Sequence, residues 1–263
     1  MSSVEFGILL PALLAGLLVL VTHVPMGQQV LNRGIVFIDL AIAQVAGLGV
    51  SAASTFGFEA EGWRVQASAV AAALMGALLL TWTEKKWPEV QEALIGVLFA
   101  VAASAELLIL ANNPQGGEHL KDLLVGQILW VSYGQLIPAL LLSIALLAFI
   151  GWRRGRLEGL LFYGLFALAI TASVQLVGVY LVFASLIVPA LATAGMQGRA
   201  QLVAAYAIGV AGYVSGLVLS AVLDLPSGAL IVWTLAASGL LAQLVPSIRA
   251  AHRAHRVVAR AHH

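Results

Sequence analysis

Asp39, Gln44 and Glu106 stand inside long apolar runs of this 263-residue chain. An ionisable group at bilayer depth costs about 2.5–3.5 kcal/mol on insertion scales, so each one calls for a reason. A carboxylate there suits a cation path, because oxygen ligands stabilise a dehydrated divalent ion. Asp39 either lines such a path or lies close enough to the cytoplasmic edge to pair with Arg33. Gln44 follows five residues later, about one and a half turns, so the two share no face unless the helix is broken. Gly47 and Gly49 offer a place for such a break. Glu106 either joins the path or reaches interfacial water, and His23 reads as a packing or interfacial histidine with a ligand role as the alternative. Gln175 is a further polar residue in an apolar run. In the polar stretch Gly116-Gly117-Glu118-His119, Glu118 and His119 could ligate zinc or manganese, or be ordinary loop residues. Pro189 removes a helix hydrogen bond and is expected to kink or break its helix.

Other chemistries are missing. The chain has no cysteine, which excludes disulfides and thiolate metal ligands. There is no G-x-x-x-x-G-K-[ST] loop, so it cannot hydrolyse ATP by that route. H-E-x-x-H and G-x-S-x-G are also missing, and Ser104 and Ser185 have no evident histidine partner, which leaves an intramembrane enzyme without a nucleophile–base pair.

The elements that must position these residues follow from composition. Hydrophobic residues make up 61% of the chain and charged residues 10%, against about 25% charged in a soluble domain. In lipid every backbone polar group must be satisfied internally, and the apolar runs are too long and unbroken for barrel strands. The expected fold is therefore all-α, a polytopic membrane bundle of eight or nine transmembrane helices. Candidate spans are 6–26, 33–56, 64–83, 89–111, 135–152, 158–172, 173–196, 201–223 and 226–248. The sixth is short and could be one arm of a broken helix shared with the seventh. With nine spans and a cytoplasmic C-terminus, eleven of the 13 Lys and Arg fall inside, leaving Arg64 and Lys121 outside. The N-terminus is then outside, and the first run is a retained span because Met1–Glu5 lacks a basic signal region. Residues 1–263 read as one transmembrane domain ending in a basic cytoplasmic tail, 249–263. In that tail His252, His255, His262 and His263 alternate with Arg253, Arg256 and Arg260, a mixture that suits anionic headgroups better than a metal. Gly209, Gly212 and Gly216 form a close-packing stripe on span eight.

Five ordered segments carry a resemblance. They are Val30-Leu31-Asn32-Arg33 through Phe37 to Gly49; Glu92-Ala93-Leu94-Ile95-Gly96-Val97-Leu98-Phe99; Leu123-Leu124-Val125-Gly126-Gln127-Ile128-Leu129; Val177-Gly178-Val179-Tyr180-Leu181-Val182 through Pro189-Ala190-Leu191-Ala192; and Asp224-Leu225-Pro226-Ser227-Gly228. Together they resemble the permease subunits of zinc and manganese ABC importers, the ABC-3 type. The resemblance implies a homodimer or similar pair of permeases in a bacterial cytoplasmic membrane, driven by two cytoplasmic ATPase subunits and fed Zn²⁺ or Mn²⁺ by an extracytoplasmic binding protein. It implies no cofactor in the chain, the metal being cargo. Two departures stand out. Gln44 occupies the family's histidine position and Leu48 its proline, while Asp39 lies one position before the family aspartate. The family's cytoplasmic ATPase-docking segment of about twenty residues is reduced here to residues 153–158, so docking must shrink or use other loops such as 84–92. The alternatives are a stand-alone carrier driven by an ion gradient, with Asp39 and Glu106 as proton sites, and an ABC permease for another substrate such as an iron chelate.

Overall fold

The computed structural model describes residues 3–55, 62–110, 124, 126–153 and 158–261, with side chains described between 7 and 244. The described residues form nine α-helices and two single 3₁₀ turns, with no strand among them. The helices are α1 (Ser3–Arg33), α2 (Ile38–Thr55), α3 (Trp63–Lys86), α4 (Gln91–Leu110), α5 (Tyr133–Trp152), α6 (Gly159–Val177), α7 (Val179–Ala192), α8 (Gly198–Leu223) and α9 (Ser227–Ala261). Eight are long and apolar enough to cross a bilayer, while α7, at 14 residues, is not. At 1.5 Å per residue α7 reaches about 21 Å, short of the roughly 30 Å hydrocarbon core.

The expected division at 172/173 is corrected. Ser173 lies inside α6, and the sixth span is full length. The break falls at Gly178, whose φ of 83° and ψ of 162° belong to a region that only glycine occupies without strain. The helix expected to break at Pro189 runs through it to Ala192. The missing N–H of Pro189 takes the i−4 donor from the Ser185 carbonyl, and the helix continues for one turn beyond it. The α1 helix outlasts the expected span and continues to Arg33.

The core is built around α1, α2, α6 and α7, whose buried faces carry Val19, Ile38, Ile42, Phe166, Ile170, Leu181 and Leu186. By contrast α4, α5 and α9 leave Val97, Leu108, Leu141 and Leu240 exposed, as helices facing lipid do. All six tryptophans are exposed, and most stand at helix ends, where a bilayer meets water. Arg33, Lys85, Lys86, Arg153 and Arg199 mark one end of the bundle, hereafter the basic end. The glycine stripe of α8 packs within the chain: Gly209 faces Leu20 of α1, and Gly212 and Gly216 face Leu235 and Ile231 of α9. There the Thr234 hydroxyl donates to the Gly212 carbonyl at 2.7 Å.

Candidate functional site

Helices α2 and α4 are neighbours that run the same way, since both the beginnings and the ends of the two helices meet. Near their far ends Glu106 of α4 turns into α2. Gln44 donates its amide N–H to Glu106 Oε2, and the Ser51 hydroxyl donates to Oε1 at 2.9 Å. Gln44 and Ser51 are seven residues apart, two full turns, so they share a face. All three side chains are buried, Glu106 at 1% exposure. Gly47 lies between them on the same helix, where a methyl group would stand 3.3 Å from Glu106 Oε1. The glycines therefore do not break α2, which is continuous from Ile38 to Thr55. Instead Gly47 admits the carboxylate to the helix surface, and Gly49 admits α3, whose Ser68 hydroxyl bonds the Gly49 carbonyl at 2.8 Å.

A small cavity adjoins this cluster, lined by Ala43, Gln44, Gly47, Glu106, Leu124, Val174 and Val179. The α6–α7 break thus borders it. The first-turn N–H groups of α7 lack intrahelical acceptors and carry positive partial charge, which favours a carboxylate nearby. Gly126, with φ of 70°, packs so closely on the Val177 carbonyl and the Gly178 nitrogen that no side chain fits there. The break is thereby held from the α5 side. The cluster offers only oxygen ligands: one carboxylate, one amide carbonyl and one hydroxyl. All three can turn an oxygen to a cation in place of their present hydrogen bonds.

At the basic end, Asp39 lies in the first turn of α2, because the helix begins at Ile38. It is 1% exposed, and neither carboxylate oxygen has a hydrogen-bond partner, although the N–H groups of Asp39 and Leu40 lie close. Arg33 lies 3.7 Å from Glu84 and stacks 4.1 Å over the Phe162 ring. Beside it Gln91 ties three helices together, donating to the Leu80 carbonyl at 3.0 Å and the Tyr163 hydroxyl at 3.2 Å while accepting from Thr83 at 2.9 Å.

Other anticipated residues fall apart from these groups. His23 is fully buried in α1, with Nδ1 2.9 Å from the Val19 carbonyl and 3.0 Å from the Thr22 hydroxyl. Gln175 is exposed and belongs to α6, not to the start of the next helix. Glu118 and His119 lie outside the described residues, as does residue 154–157 of the shortened loop, and the tail's side chains are likewise not described. Ser51 and Gly178 enter as new members of the Glu106 group. The i+7 spacing from Gln44 could have found Ser51. Gly178 stood in a quoted segment with no role attached, since a backbone dihedral is not visible in sequence.

Residues 5–158 and 150–245 match the ABC 3 transport family. The chain belongs to that family. It is a multi-pass membrane permease of an ABC transporter. A relative named "Probable iron transport system membrane protein" from Haemophilus influenzae is 31% identical over 180 residues, covering 60% of this chain and 66% of that one. In fold the chain is similar to PsaBC from Streptococcus pneumoniae, solved in complex with a Fab, with TM-score 0.72, 19% identity and coverage of 89% and 90%. It is also similar to a metal-chelate type ABC transporter in an inward-facing conformation, with TM-score 0.63, 17% identity and coverage of 84% and 81%. The Gln44–Ser51–Glu106 cluster of this ABC-3 chain is buried beside the cavity that the α6–α7 break borders.

Proposed function

We propose that this ABC-3 permease imports a divalent metal ion, held during passage by Glu106, Gln44 and Ser51. The observation that carries the reading is a buried carboxylate bonded to an amide and a hydroxyl beside the Gly178 break. Interrupted helices place exposed backbone and partial charge where transporters bind ions. The donor set contains oxygen and no imidazole or thiolate, which suits Mn²⁺ or Fe²⁺ better than Zn²⁺. The iron in the Haemophilus relative's name agrees with such a hard-to-borderline ion. The chelate reading is weaker, because the cavity is small and apart from Glu106 and Gln44 is lined by apolar or glycine residues.

By the positive-inside rule the basic end faces the cytoplasm, the N-terminus lies outside and the C-terminal helix enters the cytoplasm. A bacterial cytoplasmic membrane, a paired permease, two ATPase subunits at the basic end and an extracytoplasmic metal-binding protein complete the importer. The test has two parts: affinity purification in mild detergent, and Mn²⁺ uptake by cells. Co-purification of an ATPase subunit and loss of uptake on Glu106→Gln are expected. A chain that purifies alone and moves Mn²⁺ with a proton gradient would favour the stand-alone carrier.

A further inference from the structure

The turn that joins α3 to α4 at the basic end is both exposed and firmly held. Lys85 to Val90 are all exposed, Trp87 at 37% and Val90 at 46%, and Trp82 stands just before them at 51%. Pro88 disfavours helix at the residue before it, so α3 ends at Lys86 and Pro88–Val90 form a single 3₁₀ turn. The Trp87 N–H closes the end of α3 on the Thr83 carbonyl at 2.7 Å. The rings of Trp82 and Trp87 meet edge to face at 5.2 Å, and the Lys86 ammonium stands 5.0 Å from the first and 4.4 Å from the second. An aromatic pair fixed in this way loses little side-chain freedom when a partner covers it.

Side-chain contacts lead from the turn into the bundle. Gln91, the residue after it, bonds Leu80 and Thr83 of α3 and Tyr163 of α6. Glu92 accepts the Phe37 N–H just before α2 at 3.3 Å, and Phe37 stacks on Phe183 of α7 with ring centres 6.3 Å apart. Glu84 lies 3.7 Å from Arg33 of α1. Helix α4 runs unbroken from the turn to Glu106.

Tryptophans suit the surface of a bilayer or of another protein. Charge separates the two. Glu84, Glu89 and Glu92 stand among Lys85 and Lys86, three carboxylates against two ammonium groups, and Lys86 is already engaged by two rings. Anionic headgroups are drawn by a cationic excess, which this turn lacks. An apolar centre holding Trp, with a rim of both charges, is instead the make-up of a protein interface. We propose that the α3–α4 turn, with Trp87 and Val90 at its centre and Lys85 and Glu89 at its rim, is a docking surface for the cytoplasmic ATPase subunit. The inference rests on the proposed function, in which an ATPase binds the basic end, and adds where it binds. Motion of the docked subunit would reach the Glu106 cluster along α4 without crossing a loop.

The test uses the full chain co-expressed with the ATPase subunit that purifies with it. A benzophenone side chain replaces Glu89, or, as a control, Met196, which is 40% exposed in the α7–α8 connection at the same end. After irradiation of membranes, a crosslink to the ATPase is expected from position 89 at several times the yield from position 196. Trp87→Ala and Val90→Asp should each lower the ATPase recovered per permease by about tenfold, as loss of a central interface residue does, with the permease's size-exclusion profile unchanged. Val90→Asp leaves the Trp82–Trp87 pair in place, so it decides the matter if Trp87→Ala does not fold. Crosslinking of position 89 to lipid alone, equal yields from the two positions, or full ATPase recovery with Val90→Asp overturns the docking surface. In each of these cases the wild type still carries its ATPase, so the importer reading survives. A wild type that brings down no ATPase overturns both.

Discussion

Glu106 is held by two donors, and that defines what its neighbours contribute. Glu106→Gln keeps the shape and removes the charge, so Mn²⁺ uptake is expected to fall at least tenfold while the protein assembles normally; wild-type uptake would take Glu106 out of the path. Ser51→Ala removes one neutral donor worth about 1 kcal/mol, so a loss of about fivefold in apparent metal affinity is expected in the same assay. An effect as large as that of Glu106→Gln would mean that Ser51 also shapes the fold. At this scale the sequence singled out Asp39, Gln44 and Glu106, because charge and amide stand out against apolar runs. It could not show that Gln44 and Glu106, 62 residues apart, are bonded to each other, while Asp39 goes elsewhere. Such pairing depends on which helices become neighbours, and a run of leucines and alanines carries little of that information.

The helices themselves were largely legible, since twenty-residue apolar runs have few other solutions in lipid. Where one helix stops and the next begins was less so. Pro189 is the louder signal, yet α7 runs through it and the break falls at Gly178, where a positive φ demands glycine. Gly178→Ala should therefore destabilise by about 1–3 kcal/mol and lower the melting temperature in detergent. Gly216→Ala is a second packing test. A methyl there would stand 2.6 Å from the Ile231 Cα, which belongs to backbone and cannot simply swing aside. Overpacking of this kind costs about 1–3 kcal/mol, measurable as a lower thermal midpoint, and no change would mean that α8 and α9 can separate freely.

For the whole molecule, orientation is the checkable claim. The chain contains no cysteine, so single cysteines can be introduced without background. A cysteine at Arg153 should resist a membrane-impermeant maleimide in intact cells, and one at Trp63, which is 75% exposed at the start of α3, should react. The opposite pattern would invert the molecule. The parallel course of α2 and α4 also has an electrical meaning. Passing from Glu106 along α4 to the basic end, an ion travels about 20 Å of a roughly 30 Å hydrocarbon core. With the basic end in a negative cytoplasm, that one hop would harvest about two thirds of the membrane potential. For a doubly charged ion this amounts to about 3 kcal/mol per 100 mV. The path along α2 and α4 would then act as the voltage-sensitive stretch of the route, and depolarising the cell would slow inward passage even with ATP in excess.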